Sequence, residues 1–167
     1  IPTIEYDIDE LYDRDWPGGS WPKVEMKNRI SAGKHFINHL GHGNITYGLK
    51  LSNSDVSSMT NDDYCFIYSQ TCLAGHFDGS DCFAEYMTVK YMNAAFAIVM
   101  NARYGWGEYN STDGPSHRFH REFCDAIYGE DLRTFSKANQ DSKEDNLYRI
   151  NQSCMRWCYY ELNLFGD

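Results

Sequence analysis

The sequence predicts an α/β fold with a mainly parallel sheet. Three apolar runs over residues 36–40, 64–70 and 95–101 have the length of strands, and the second and third are apolar almost throughout. Strands of that kind are buried on both faces, which is typical of parallel sheets. Segments with helical spacing separate the runs, as the crossover connections of parallel strands require. The 167 residues, 42% of them hydrophobic, suffice for a packed core, and we expect one domain over residues 1–167.

Capping residues, turn formers and helical spacing predict the remaining elements. A strand is expected over residues 1–8, and the turn formers of residues 13–22 indicate a loop. Pro22 opens the first predicted helix and Gly33 ends it. The other predicted helices cover residues 53–59, 81–91, 116–127 and 142–161, and residues 162–165 are predicted to form a last strand.

Charge and composition exclude several classes of function. The net charge of −9 at pH 7 argues against a nucleic-acid partner, which needs a basic face on the protein. No apolar run approaches the roughly 20 residues that a membrane span needs. The charge is compatible with a secreted protein or with an enzyme that attracts cationic substrates. Six cysteines without the regular spacing of a disulfide scaffold leave the redox compartment open.

Two of the predicted strands each lead to a reactive side chain in a turn. His42 follows the first strand and Cys72 follows the second, and Gly43 and Gly75 stand close behind them. Neighbouring parallel strands end at the same edge of a sheet, where open α/β sheets bind ligands. An imidazole beside a thiol holds it as the more nucleophilic thiolate. The pattern therefore predicts a cysteine peptidase with Cys72 as nucleophile and His42 as base.

The glycines beside these residues add a second catalytic feature. Glycine lets a backbone N–H group come close to a substrate carbonyl oxygen. The N–H groups of Gly43 and of Cys72 itself are therefore candidates for an oxyanion hole. Taken singly, a cysteine or a histidine in such a chain is more often structural. Their joint occurrence after neighbouring strands favours the catalytic interpretation.

Aromatic residues follow the third predicted strand in a glycine-rich loop. Tyr104 and Trp106 lie between Arg103 and Gly107, at the same expected edge of the sheet as the two reactive residues. They suit a wall for an extended peptide or for a long side chain. A loop that is pinned by aromatic packing explains them as well.

Longer motifs resemble the gingipain family, within the caspase–legumain–gingipain group of cysteine peptidases. In that group a His-Gly pair follows one strand, and an acidic residue or Gln stands two positions before the Cys that follows the next. The segments that carry the resemblance are residues 38–43, Gln70-Thr71-Cys72, Cys82-Phe83-Ala84-Glu85, the strand over residues 95–101 with Trp106 beyond it, and Phe165-Gly166-Asp167. They occur in the family's order and extend the resemblance over residues 11–167.

The resemblance implies a caspase-like three-layer sandwich in which His42 is the general base and Cys72 the nucleophile. It implies cleavage of peptide or protein substrates after Arg or Lys, with Gln70, Tyr104 and Trp106 as substrate-binding residues. It implies no cofactor or metal for catalysis, and it suggests structural calcium. A secreted protein is expected.

The family also has strands before this region that the chain has no room for, so we expect the sheet to be incomplete. The acid that orients the histidine and the acid of the specificity pocket come from that earlier part of the family's domain. Four aspartates could replace these acids or could form a solvated acidic loop: Asp7, Asp9, Asp13 and Asp15. We expect Ile1 to be a processing point reached by self-cleavage, with an upstream segment bound as a separate chain that supplies the edge strands and the specificity acid.

Two other functions remain as alternatives. A relative without activity would keep the fold as a binding module. A zinc-stabilised domain would use His117, His120 and Cys124, which helical spacing places on one face of a helix, although the sequence offers no evident fourth ligand. Labelling of Cys72 by a thiol-directed peptide electrophile would favour the peptidase, and bound zinc would favour the zinc domain. The binding module would give neither result.

Overall fold

A four-stranded sheet lies at the centre of the fold. The structure is a computed structural model and describes residues 6–166. The strands are β1 (Phe36–His39), β2 (Tyr47–Gly48), β3 (Leu51–Ser52), β4 (Cys65–Ser69), β5 (Ala95–Asn101) and β6 (Leu162–Gly166). The sheet has the order β1–β4–β5–β6, in which the first three strands are parallel and β6 is antiparallel to β5. A separate antiparallel pair joins β2 and β3. The predicted α/β class with a mainly parallel sheet is confirmed.

The helices flank this sheet. The α-helices are α1 (Val24–Ser31), α2 (Asn53–Val56), α3 (Phe83–Glu85), α4 (Pro115–Tyr128), α5 (Phe135–Glu144) and α6 (Met155–Glu161). A π-helical turn at Tyr86–Lys90 continues α3, and 3₁₀ turns occupy Asp13–Asp15, Pro17–Gly19 and Leu147–Arg149. Gly33 follows α1 with a φ of +77°, which glycine adopts without strain, so the predicted end of this helix is confirmed. Within residues 6–166, no helix combines the length and the apolar character needed to cross a membrane.

Two apolar cores cover the opposite faces of the sheet. Along β4, Cys65 and Ile67 belong to the core shared with α1, α2 and α3, while Phe66 and Tyr68 belong to the core shared with α4, α5 and α6. All residues of β4 are buried. Because side chains alternate along a strand, a strand covered on both faces needs apolar residues on both. The result is a three-layer sandwich with the sheet as its middle layer.

The prediction of one helix over residues 142–161 is wrong. Two helices, α5 and α6, occupy this region, and α5 begins earlier, at Phe135. The Phe135 ring stacks on Phe66 with 3.8 Å between ring centroids, a tertiary contact that local sequence does not reveal. Asn146 caps the end of α5 with a 2.8 Å hydrogen bond from its side-chain amide to a carbonyl of the last turn. Cys154 then has a φ of +55°, which separates α6 from the preceding turn.

Two smaller differences concern other predicted elements. The strand expected over residues 1–8 falls mostly on residues 1–5, which lie outside the described residues, and residues 6–8 are not part of a strand. The helix predicted over residues 81–91 is replaced by the short α3 and its π-helical continuation.

The three parallel strands end at one edge of the sheet. His39, the last residue of β1, lies opposite Ser69, the last residue of β4, and β5 ends at Asn101. The N–H group of Gln70 donates to the His39 carbonyl at 3.1 Å, which extends the β1–β4 pairing one residue beyond the strands. The segments that leave this edge contain the predicted reactive residues.

Candidate active site

The turn after β4 presents Cys72 at the surface. Its side chain is half-buried, and its Sγ lies 4.0 Å from the carbonyl oxygen of Gly105 in the loop after β5. The next residue, Leu73, has a φ of +60°, which is unfavourable for a residue with a Cβ. The Leu73 N–H donates to the Arg103 carbonyl at 2.8 Å, and this bond holds the residue in place. The loop after β5 therefore supports the turn that carries the thiol.

Asn101, the last residue of β5, also connects the end of β5 to the turn that carries Cys72. Its side-chain amide donates to the carbonyls of Gln70 and Thr71, each at 3.1 Å. The Gly75 N–H donates in return to the Asn101 carbonyl at 2.9 Å. These three bonds close residues 70–75 into a compact turn over the end of β5, which contains the half-buried nucleophile candidate Cys72.

The turn after β1 packs directly on the turn that holds Cys72. An ideal Cβ at Gly43 would lie 2.1 Å from Oγ1 of Thr71 and 2.6 Å from the carbonyl oxygen of Tyr47. Only glycine fits at that position, since a Cβ essentially never comes that close to another heavy atom. The structure therefore packs Gly43 against Thr71, the residue that precedes Cys72, and the exposed His42 directly precedes Gly43 in the chain.

The two candidate oxyanion donors make no hydrogen bond within residues 6–166. Neither the Gly43 N–H nor the Cys72 N–H donates to an acceptor in this part of the chain. An oxyanion hole needs backbone donors that are not already paired within the protein. The N–H groups therefore meet one requirement of the predicted role.

His39 is a buried histidine below these turns that the sequence analysis did not assign to the site. Its Nδ1 lies 2.8 Å from Oγ of Ser69, which also accepts the Thr71 N–H at 3.3 Å. Burial lowers the pKa of His39 to about 4, with a smaller lowering by the nearby Lys50. The imidazole is therefore neutral near pH 7. The signal in the sequence is the place of His39 next to the end of the predicted strand that leads to His42.

The aromatic loop is pinned by its backbone and exposes its rings. The Trp106 N–H donates to Oγ of Ser116 at the start of α4, and the Ser116 N–H donates back to the Trp106 carbonyl, each at 2.9 Å. The indole N–H of Trp157 donates to the Tyr104 carbonyl at 3.0 Å. The side chains remain 57% exposed at Tyr104 and 42% exposed at Trp106. A cavity of about 320 Å³ adjoins Trp106 and is also lined by Glu108.

Gln70 lies mostly beneath the surface. Its side chain is 7% exposed, and its Oε1 has no hydrogen-bond partner among the described residues. Buried acceptors usually have a partner. A contact between Gln70 and substrate stays a prediction. Its Oε1 is the atom that would form the hydrogen bond.

The aspartates that were offered as replacement acids are paired with cations. Asp9 lies 3.1 Å from Nε of Arg29, and Asp7 lies 3.0 Å from Nζ of Lys34. Asp13 pairs with Lys50, and Asp15 with Arg14. This arrangement favours the acidic-loop interpretation of these residues over a catalytic one.

The three potential zinc ligands on α4, His117, His120 and Cys124, do not point to a common centre. His120 Nε2 lies 3.4 Å from Sγ of Cys124, but His117 turns its Nδ1 to the Gly114 N–H at 3.1 Å. Within residues 6–166, the ligand atoms of His117, His120 and Cys124 do not all come within 4.8 Å of one another. The geometry does not favour a zinc site.

A group of acidic residues lies in and around α5. Within residues 6–166, one set of three potential metal-ligand side chains has all its ligand atoms within 4.8 Å of one another: the carboxylates of Glu130, Asp141 and Asp145. Oxygen ligands of this kind suit calcium, yet exposed acidic groups are common without an ion. Structural calcium stays a prediction from the resemblance.

Comparisons with known proteins identify the family of this fold. The family model described as peptidase family C25 matches residues 2–167. A solved structure of the Arg-specific cysteine proteinase gingipain R is similar with a TM-score of 0.71 and 20% identity, over 87% of this chain and 35% of that chain. A complex of the Porphyromonas gingivalis RgpB pro- and mature domains has a TM-score of 0.69 and 18% identity, over 87% of this chain and 36% of that chain. A structure described as a protease has a TM-score of 0.67 and 17% identity, over 89% of this chain and 38% of that chain. A comparison with curated proteins finds no match.

The architecture is therefore the caspase-like sandwich of the gingipains. The chain belongs to peptidase family C25, the gingipain family, as its motifs predicted. At 20% identity or less, the solved structures support the fold, and this chain spans little more than a third of each of them.

Proposed function

We propose that the protein is a cysteine endopeptidase in which Cys72 is the nucleophile and His42 the general base. The observation that carries the proposal is the contact of Gly43 with Thr71, because it joins the turn of the histidine to the turn of the thiol. The exposure of His42, the half-exposed Cys72 and the free N–H groups beside them support the same assignment. Membership of a peptidase family makes hydrolysis the expected chemistry.

The proposed reaction has two stages, acylation of Cys72 by the substrate and hydrolysis of the resulting thioester. The thiol proton passes to His42 as Cys72 Sγ attacks the scissile carbonyl carbon, and the oxyanion accepts hydrogen bonds from the N–H groups of Gly43 and Cys72. The C–N bond then breaks, and His42 gives its proton to the leaving amine. Water, activated by His42, attacks the thioester and releases the carboxylic acid, which restores the thiol. No cofactor takes part in this scheme.

We expect cleavage after Arg or Lys. The net charge of −9 favours cationic substrates, and the exposed rings of Tyr104 and Trp106 suit the aliphatic stem of a long side chain. The Arg-specific activity named for the similar gingipain R is compatible with this preference. A positional-scanning peptide library measures it directly, and a preference for Asp or Asn over Arg and Lys would contradict it. We also propose that the protein acts outside the cell.

The outer edge of β1 supports an upstream partner. Within the described residues β1 pairs with β4 on one side only, and Leu40 just beyond β1 is exposed. An open strand edge invites pairing with another segment. We propose that a segment of the same precursor, separated by self-cleavage, adds strands there and supplies the acid of the specificity pocket. The similar complex of pro- and mature domains is compatible with a bound partner of this kind.

The test is active-site labelling of the full natural protein with an arginyl chloromethyl ketone, together with hydrolysis of an Arg-containing peptide. We expect one label per protein and turnover in the wild type and in Cys154→Ala, a control at another half-buried cysteine. Cys72→Ala should lose both the label and turnover and keep its circular dichroism spectrum. Turnover that survives in Cys72→Ala would overturn the proposal. A wild type that neither reacts nor hydrolyses would favour the inactive binding module.

A further inference from the structure

A buried carboxyl lies under the loop that supports Cys72. Glu161, the last residue of α6, is 4% exposed. Its Oε2 accepts the Arg103 N–H at 3.1 Å, and its main-chain carbonyl accepts the Ala102 N–H at 2.8 Å. Its Oε1 has no hydrogen-bond partner among the described residues. A buried carboxyl oxygen without a hydrogen bond costs free energy, because it has lost its hydration and gained no partner.

Two residues, Arg103 and Leu73, connect Glu161 to the nucleophile. The Arg103 N–H donates to Glu161, and the Arg103 carbonyl accepts the Leu73 N–H at 2.8 Å. Leu73 directly follows Cys72 and has a left-handed φ of +60°, so it needs an external constraint. One turn before Glu161 on α6, Trp157 holds the Tyr104 carbonyl. The end of α6 therefore fixes both ends of residues 103–104.

The charges around Glu161 favour its neutral form. The Arg103 guanidinium turns away to Asp78, with contacts of 3.0 and 2.6 Å, and does not pair with Glu161. The other titratable neighbour is the Cys158 thiol, whose pKa burial raises to about 12. Burial raises the pKa of Glu161 to about 8, and the hydrogen bond from the Arg103 N–H lowers it by a smaller amount. At neutral pH the side chain is a protonated carboxyl that accepts one backbone bond.

We infer that Glu161 is a positioning residue for the nucleophile: it acts through Arg103 and Leu73 to hold Cys72 at the angle that attack requires. This inference rests on the proposed function of Cys72. A misplaced nucleophile lowers the rate of the chemical step far more than it lowers substrate affinity. Since a neutral carboxyl accepts the Arg103 N–H, a neutral side chain of the same shape that keeps an acceptor oxygen should replace it.

The experiment compares Glu161→Gln with Glu161→Leu in the full natural protein, with rates normalised to the fraction of molecules that an active-site label titrates. Gln retains an acceptor for the Arg103 N–H, and Leu does not. We expect kcat of Glu161→Gln to stay within about threefold of wild type, and kcat of Glu161→Leu to fall by about tenfold or more with KM little changed. Glu144→Leu, at an exposed glutamate of α5, is the control and should keep the wild-type kcat.

Each outcome separates the inference from the proposed function. Equal kcat in wild type and Glu161→Leu, while Cys72→Ala is inactive, would overturn the inference alone. A loss in Glu161→Gln as large as in Glu161→Leu would also overturn it. If Glu161→Leu does not fold, Glu161→Gln is compared with Glu161→Met, which has similar volume and no oxygen acceptor, and the same criteria apply. Turnover in Cys72→Ala would instead contradict the proposed function.

Discussion

His39 and Ser69 face each other across the β1–β4 pair, and their side chains form a buried hydrogen bond of 2.8 Å between Nδ1 and Oγ. The other edge of the ring lies close to Gly41, where an added Cβ would come within 2.6 Å of Nε2. The imidazole therefore fills the space beneath the turn of His42. There is no room for water to solvate the ring if it were protonated. Burial keeps it neutral, with a pKa of about 4.

The first prediction follows from this neutral histidine. A folded-state pKa below the unfolded value of about 6.5 means that the unfolded chain binds the proton first as the pH falls. The stabilising effect is therefore complete above pH 6.5 and is lost as the pH falls toward 4, by on the order of 3 kcal/mol. The measurement is the difference in free energy of unfolding between wild type and His39→Gln by urea denaturation at several pH values. It should shrink steadily between pH 6.5 and pH 4.

The control for this prediction is Asn38→Gln, at an exposed position of the same strand. Its difference from wild type should not depend on pH. A pH-independent difference for His39→Gln as well would show that the buried ring takes up its proton as readily as a solvated one.

The second prediction concerns His42. His42→Ala should lower kcat/KM by about 10²- to 10⁴-fold, because the thiol loses the group that takes its proton. His35→Ala is the matched control, since His35 is also exposed and lies just before the opposite end of β1. Steady-state kinetics on an Arg-containing peptide measure both variants. A change in KM alone for His42→Ala would make His42 a binding residue.

The third prediction tests the contact between the two turns. Gly43→Ala places a Cβ against Oγ1 of Thr71 and the Tyr47 carbonyl, so the turns must move apart. Overpacking of this kind costs about 1–3 kcal/mol of stability, and the displaced N–H group should reduce activity further. Thermal unfolding and the rate of hydrolysis are the two measurements.

Gly79→Ala is the comparison for this variant, because an added Cβ there meets only the His76 side chain, at 3.3 Å. It should remain close to wild type in both measurements. If Gly43→Ala behaves in the same way, the turns are not packed as the structure has them, and the basis for pairing His42 with Cys72 is lost.

Most of the sheet was predictable because its strands are local apolar runs. The bounds of β5 agree with the prediction over residues 95–101, and those of β1 and β4 differ by one residue at one or both ends. The division into α5 and α6 was not predictable, because the stacking of Phe135 on Phe66 joins residues far apart in the chain. Periodicity alone does not detect such a contact.

The candidate site divides in the same way. His42, Gly43 and Cys72 follow predictable strands and carry recognisable chemistry, so position and residue type were enough to propose them. His39 and Glu161 lie beneath the surface and form hydrogen bonds to Ser69 and Arg103. Each looks in the sequence like an ordinary residue at the end of a strand or a helix. Their significance depends on long-range neighbours, and only the folded structure supplies these.

The complete burial of β4 has a consequence for motion. This strand lies between β1 and β5 and between two cores, so its amides should exchange with solvent only through opening of nearly the whole fold. Residues 40–43, in the turn beyond β1, include the exposed Leu40 and His42, so this turn should open at much lower cost. Hydrogen exchange should then be faster beyond His39 than along β4. The turn that carries His42 can therefore move while the strand that leads to Cys72 remains fixed.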